Sequence, residues 1–318
     1  MKEHSVDQNA LQAIGWMLWA VFLLSTMDVA IKQLVAHYPS LQVAVLRCLI
    51  SAPLFAVWML VQNRQLFRTR RLRAHTARAL LGLLMLWAIG EAFRELPLAD
   101  AYAIFFAAPL IMTLLSGPVM GEPAGPLRIG ACAVGFLGVL VVLRPGADAL
   151  LSYGSVAALL AVACYAVVAL MVRALGREEH SLTIAFWFTF LCGTAGALFM
   201  PGTWQPLVLE HWPWLAILGV TGTLGQVALI AAFRRASAGV IAPLDYTAML
   251  WAVLYGWWFW GELPESRTWV GAGIIIASGL FILHRERGAA RQAQRSAARK
   301  RQISVSADTD GSAESSER

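Results

Sequence analysis

Along the chain, blocks of about twenty mostly apolar residues alternate with short polar or Pro/Gly breaks, the pattern of a polytopic membrane protein. Ten such blocks can be traced: Leu11–Leu34, Leu41–Val61, Ala77–Leu96, Leu98–Val119, Leu127–Leu143, Tyr153–Val172, Leu182–Met200, Trp212–Phe233, Gly239–Trp260 and Thr268–Leu283. Each approaches the length that a helix needs to cross a hydrocarbon core of ~30 Å. The predicted fold is an all-α integral membrane bundle of ten transmembrane helices. Only an Arg-rich stretch after the second block and the tail from His284 to Arg318 are long enough to stand outside it. No soluble catalytic domain is therefore expected.

Composition agrees with this pattern, with 58% hydrophobic and only 14% charged residues among 318. The first block is of full spanning length and carries Asp28 and Lys32, so it is expected to remain as a span rather than be removed as a signal peptide. A cytoplasmic N-terminus places most of the 25 basic residues in inward loops and the tail, as the positive-inside rule requires, so both termini are expected in the cytoplasm. The net charge of +6 thus reads mainly as a topology signal. The basic runs lack the aromatic interleaving of a nucleic-acid surface, and no nucleic-acid partner is expected. Residues 285–318 are poor in apolar side chains and read as a disordered basic cytoplasmic tail. Cys48, Cys132, Cys164 and Cys192 all lie within apolar blocks at no metal-like spacing, and the six histidines sit in loops or at block ends. Neither a metal centre nor a disulfide framework is expected. The preference for arginine over lysine suggests a GC-rich bacterial genome and hence the inner membrane.

Sliding the chain against itself exposes a repeat. FRELPLADAYAIFFAAPLIMTLLSGPVMGE, Phe93–Glu122, meets FRRASAGVIAPLDYTAMLWAVLYGWWFWGE, Phe233–Glu262, at a shift of 140 residues, with Phe-Arg and Gly-Glu matching at the two ends. After one inserted residue the match continues, with Gly130 on Gly271 and Gly138 on Gly279; the same shift sets Lys32 on Arg173 and Ser40-Leu41 on Ser181-Leu182. Each half then holds five spans, and because five is odd the second half must enter the membrane inverted. Inverted repeats build secondary transporters that open one central site to either side in turn.

The doubled Pro-containing span, the Gly-Glu at its end and the Gly-rich final spans (GACAVGFLGVLVVLRPG and GAGIIIASGLFILHRE) resemble the EamA domains of the drug/metabolite transporter superfamily. The likeness runs from about Ile14 to Glu286, with the repeats over 11–144 and 153–284. DVAIKQL, Leu46-Arg47 and APLDYTAMLWAVLYGWWFWGELP look more closely like a branch of S-adenosylmethionine transporters, riboflavin transporters, and amino-acid or metallophore exporters. The resemblance implies a transporter and leaves its substrate open.

Charges inside the spans are the strongest candidates for function. An isolated charge at bilayer depth costs at least ~2.5 kcal/mol on insertion scales, so such groups face the bundle interior. Asp28 and Lys32 stand four residues apart on one helix face and can form an ion pair. Arg47 and Glu91 share one level with Asp28, roughly 8 to 9 Å below the outer boundary at ~1.5 Å per residue, and Lys32 completes a set of four charges. Together their charges cancel. One reading is a structural network that holds three helices in register; the other is a site where a zwitterionic substrate competes for the internal partners. The repeat favours the second, because Asp28 falls on Ala169, Arg47 on Phe188 and Glu91 on Ala231 or Ala232.

Asp245, whose repeat partner is Phe105, is a candidate proton-coupling carboxyl, with a structural clasp as the alternative. Pro109 and Pro243 each remove a helix hydrogen bond and read either as hinges or as plain kinks. Trp87, Tyr102, Phe106, Tyr165, Tyr246 and Trp251 could wall a cavity or simply pack, and Gln226 is either a substrate ligand or polar helix glue. Glu122 and Glu262 read as structural helix-end residues. The Gly-rich fifth and tenth spans could pack within a monomer or across a homodimer. No GxxxxGK[ST] loop is present to bind nucleotide. The expectation is a secondary transporter, not an enzyme, without cofactor, moving a small amino-acid-derived zwitterion, with efflux preferred over uptake.

Overall fold

The computed structural model describes residues 2–120, 125–143, 152–176, 178–200, 202–235, 243–282 and 284. Among these the chain is helical and contains no strand. The elements are α1 (Lys2–Val35), α2 (Ser40–Gln62), a 3-10 turn (Arg64–Phe67), α3 (Leu72–Glu95), α4 (Leu98–Phe105), α5 (Ala108–Met120), α6 (Pro126–Leu143), α7 (Tyr153–Leu175), α8 (Ser181–Leu198), α9 (Trp212–Phe233), α10 (Ala248–Tyr255) and a π turn (Gly256–Trp260). A last helix, α11, covers Ser266–Ile282. Seven helical stretches are long and apolar enough to cross a membrane, and Ile129–Leu143 and Ser266–Ile282 are shorter apolar helices. The expected tail, 285–318, lies outside the described residues.

Local chemistry sets the helix ends. Ser152 caps α7 by accepting the Ser155 backbone N–H on its hydroxyl, and His180 Nδ1 accepts the Leu182 N–H at the start of α8. The far end of α10 closes on Gly261 at φ +67, left-handed backbone that glycine adopts without a Cβ clash. Two expected spans are not continuous helices. The fourth breaks at Phe106-Ala107 into α4 and α5, and the ninth, described from Pro243 onward, breaks at Tyr246-Thr247.

Helix partnership follows the repeat. α1 packs most extensively on α9 and α3 on α7, while α2 packs on α8 and α4 on α10. Exchanging the halves converts the first pair into the second and returns the α2–α8 pair to itself. Bilayer lipid is as apolar as leucine, so close packing, rather than escape from water, must hold these helices together. Small residues permit it: a Cβ on Gly222 would lie 2.8 Å from Met27 Sδ, and one on Gly225 2.8 Å from Leu24 Cδ2. Backbone meets backbone between α6 and α11, where a Cβ on Gly271 would meet the Gly138 carbonyl oxygen at 2.7 Å. The outer surface is correspondingly oily, with Val57, Val61, Leu137, Leu250 and Trp258 all exposed. The four cysteines are buried free thiols.

Polar seams join the two halves at both ends of α2 and α8. At one end Gln42 and Gln205 exchange two hydrogen bonds, and Tyr38 bonds His211 Nδ1 at 2.9 Å. At the other end the fully buried His75 bonds Glu179 at 2.6 Å, Arg71 pairs with Glu178, and Thr183 donates to the Leu66 carbonyl.

The α6–α11 contact generates a paired test. Gly271→Ala drives its new methyl into a backbone carbonyl and is expected to destabilise the solubilised protein by about 1–3 kcal/mol. Gly273→Ala, whose Cβ would meet nothing within 4 Å, is expected to hold or raise stability. Thermal unfolding of the two variants in one detergent measures the contrast.

Candidate functional site

The two helix breaks meet. Phe106 and Tyr246 coincide at the repeat shift of 140 residues, and their rings touch edge to face with centroids 5.1 Å apart. Space for Tyr246 depends on Gly279, where a Cβ would lie 2.1 Å from the phenol oxygen. Breaks in a membrane helix are tolerated only where the freed backbone is buried in protein or lines a cavity. Pro109, the second residue of α5, leaves the Phe105 carbonyl without its helical donor. Pro243 stands three residues before the other break.

Around these breaks the structure gathers Asp28, Tyr102, Asp245 and Tyr246. Tyr102, on α4, donates its hydroxyl to Asp28 Oδ2 at 2.6 Å across to α1, and Ser25 lies 3.4 Å from the same hydroxyl. Asp245, immediately before the second break, is exposed. Its charge reaches the phenols of Tyr102, Tyr165 and Tyr246. Tyr165 is 47% exposed. Arg47 is half-buried on α2, within electrostatic range of Asp28. Among the described residues, neither Arg47 nor Asp245 makes a hydrogen bond or ion pair. The assembled surface offers two carboxylates, one guanidinium and several aromatic faces.

Other predicted residues go elsewhere. Lys32 does not pair with Asp28: its ammonium contacts both carboxylate oxygens of Glu262, at 3.0 and 2.9 Å, and the Leu96 carbonyl at 2.9 Å. Lys32 lies in the last turn of α1, beside the point where the α3–α4 corner and the end of α10 converge, while Asp28 one turn earlier faces α4. Glu91 is drawn away by its own helix, to Arg94 at 3.5 Å, with the Tyr153 hydroxyl beside it. The four charges therefore form no single network: Lys32 and Glu91 have ion-pair partners elsewhere, Asp28 meets a phenol, and the Arg47 side chain has no ion pair among the described residues. Trp251 packs between Phe22 and Tyr255, with centroids at 4.9 and 5.8 Å. Trp87 and Gln226 are half-buried and form no hydrogen bond among the described residues.

This geometry sits in a chain whose two halves each match the model of the EamA-like transporter family, over residues 11–144 and 152–284. The chain belongs to that family. Among similar proteins, the riboflavin transporter of Vibrio cholerae is 30% identical over 294 residues, 87% of this chain and 95% of that protein. The pseudopaline exporter of Pseudomonas aeruginosa is 27% identical over 274 residues, 85% and 95% of the two chains. A solved crystal structure, 17% identical, shares the fold at a TM-score of 0.56 over 87% of this chain and 95% of that one. The EamA-like chain is thus a multi-pass membrane transporter rather than an enzyme, with a small-molecule substrate.

Sequence reasoning about this EamA-like transporter missed the strongest internal ion pair. Glu262 was assigned to a helix end, and the structure makes it the partner of Lys32; Glu122, given the same reading, lies outside the described residues. Its Gly-Glu signal was visible, but which cation Glu262 meets depends on the π turn and the Gly261 reversal. The Thr26 to Tyr255 hydroxyl contact at 2.8 Å was also unforeseen, since nothing local relates residues so far apart.

Asp28→Asn is expected to leave unfolding almost unchanged, because an amide oxygen still accepts the Tyr102 hydroxyl. Tyr102→Phe strands the carboxylate without its donor and should lower stability by about 1–3 kcal/mol. Thermal melts of both purified variants check the difference.

Proposed function

We propose that the chain is a secondary transporter that exports a small amino-acid-derived zwitterion by alternating access, of the opine-type metallophore kind. The observation that carries this reading is a mixed-charge cluster: Arg47 without an ion-pair partner among the described residues, Asp28 within its electrostatic reach, and Asp245 with Tyr102, Tyr165 and Tyr246 near it. A substrate carboxylate suits Arg47, which binds carboxylates in a planar fork. A substrate ammonium suits Asp28 or Asp245, and the phenols can hold a cation over a ring face. The aromatic Trp87, Phe106 and Trp251, with Gln226, complete the proposed contact set; Pro109 and Pro243 flank the breaks as hinges.

In this reading ten spans form two inverted five-helix repeats, 11–144 and 153–284, in the bacterial inner membrane, with both termini and the 285–318 tail in the cytoplasm. Asp245 is assigned to proton coupling because its side chain, beside a helix break within a span, makes no hydrogen bond or ion pair among the described residues. The transporter works without a cofactor, as monomer or homodimer. Likeness to a pseudopaline exporter supports efflux. Likeness to a riboflavin transporter supports the second reading, uptake of a ring-bearing solute such as riboflavin or S-adenosylmethionine, for which the same aromatic walls would serve. A non-transporting scaffold is the third.

Metabolite profiling of cells and medium separates these readings, comparing a deletion strain with strains restored by wild type or Asp28→Asn. A compound retained in deletion cells and released only by wild type identifies export and its substrate. A compound left in the medium identifies uptake, and no difference under varied nutrients and metals favours a scaffold. Asp28→Asn and Arg47→Ala are each expected to abolish transport at normal membrane abundance, and full activity in both removes the proposed site. For Asp245→Asn the expected outcome is transport that no longer follows an imposed pH gradient, measured in proteoliposomes with the identified substrate; an unchanged dependence excludes the coupling role.

A further inference from the structure

We propose that the Lys32–Glu262 ion pair is a gate over the central cavity, breaking when that end of the transporter opens to water, and that Lys32 is not a substrate ligand. The inference rests on the alternating-access reading above. The pair crosses between the repeats, from the last turn of α1 to the residue after the Gly261 reversal beyond α10. It also captures the α3–α4 corner: Lys32 donates to the Leu96 carbonyl, and the Leu98 backbone N–H donates to Glu262 at 3.3 Å. Three segments that could separate are thereby tied at one point.

Its position beside the proposed site follows from register. Lys32 is one turn beyond Asp28 on α1, and Leu98 one turn before Tyr102 on α4, so the tie stands about 6 Å from the Asp28–Tyr102 contact. The side chain of Lys32 is 8% exposed and that of Glu262 30%, so the cation is sealed in while the anion already reaches the edge. Trp260 closes the remaining side, its ring centroid 5.0 Å from the ammonium. A second tie at the same end, Thr268 to Asp100 at 2.7 Å, is a single hydrogen bond.

The seams flanking α2 and α8 behave differently. They exist at both ends of the bundle in the same structure, Gln42 with Gln205 at one and His75 with Glu179 at the other, and so they hold the halves together whichever end is closed. The Lys32–Glu262 tie instead joins the end of α1, the start of α4 and the π turn beyond α10, outside both seams. Buried ion pairs suit a reversible closure, because desolvation offsets most of their attraction. Separating the charges into water restores their hydration, whereas separating them in a dry bundle does not; the tie therefore yields only as water enters.

The test is hydrogen–deuterium exchange on the full-length protein in lipid nanodiscs, alongside transport. Lys32→Met and Glu262→Gln are each expected to speed exchange about tenfold or more in the last turns of α1, the start of α4 and the π turn, with the His75–Glu179 end unchanged. Combining Lys32→Glu with Glu262→Lys should restore both protection and transport, and Lys32→Arg should retain both. Unchanged exchange in the two single variants overturns the inference, as does a charge exchange that restores protection but not transport, since that would leave Lys32 a substrate ligand. Exchange that rises throughout the protein in the single variants likewise overturns it, marking a purely structural pair. Should the end open locally as expected while wild type moves no solute, the gate stands and the transport reading fails.

Discussion

Water is absent from the hydrocarbon core, and that single fact dictates where every polar group of this protein can be. A charge placed there needs a protein partner or a cavity that brings solvent or substrate to it. The structure sorts its interior charges into these two classes. Lys32 with Glu262 and Glu91 with Arg94 are matched within protein. Asp245 and Arg47 are matched by no side chain among the described residues, and Asp28 is answered by a neutral phenol. Asp28 and Asp245 lie at the broken helices, where irregular backbone is itself admissible only beside a cavity, and Arg47 is within electrostatic range of Asp28. Charge placement and chain breaks thus mark the same region by independent routes.

The same absence of water removes the usual reason for helices to associate. Small residues take over that role, and the bundle shows it in the glycines of α9 against α1 and in the α6–α11 contact, where backbone meets backbone. Such packing depends on shape, so it repeats wherever the shape repeats. The partnerships of α1 with α9 and of α3 with α7 are related by exchange of the halves, and Phe106 and Tyr246 touch where the two repeats face each other. Symmetry in the frame is therefore a packing result and not a matter of sequence alignment alone.

Much of this was legible along the chain. Apolar block length announced the spans, and a constant shift announced the halves, since both are properties of runs of residues. Asp28, Asp245 and Arg47 were legible because an ionisable side chain within an apolar block is conspicuous. Pairing was not. Lys32 stands an ideal helical distance from Asp28, yet the structure gives it to Glu262, 230 residues away. Helix spacing shows which groups share a face; it does not show which helix lies opposite. Glu91 illustrates the converse, since Arg94, one turn along, satisfies it locally. The π turn after Tyr255 was equally hidden, because nothing in GWWFW separates a five-residue turn from an α-helical one.

A repeated frame that carries unrepeated charges has an energetic consequence. When two halves pack by the same contacts, the two arrangements obtained by exchanging their roles differ little in packing energy. Small differential interactions then decide which is populated, because an equilibrium that starts near balance moves with ~1.4 kcal/mol per tenfold of relative affinity. Here the interactions that break the symmetry are few and identifiable: Asp28 against Ala169, Arg47 against Phe188 and Asp245 against Phe105 in the repeat. Groups that pack cannot supply the bias, since each has its counterpart. In a frame of this kind the directional chemistry must reside in the residues that the repeat fails to reproduce.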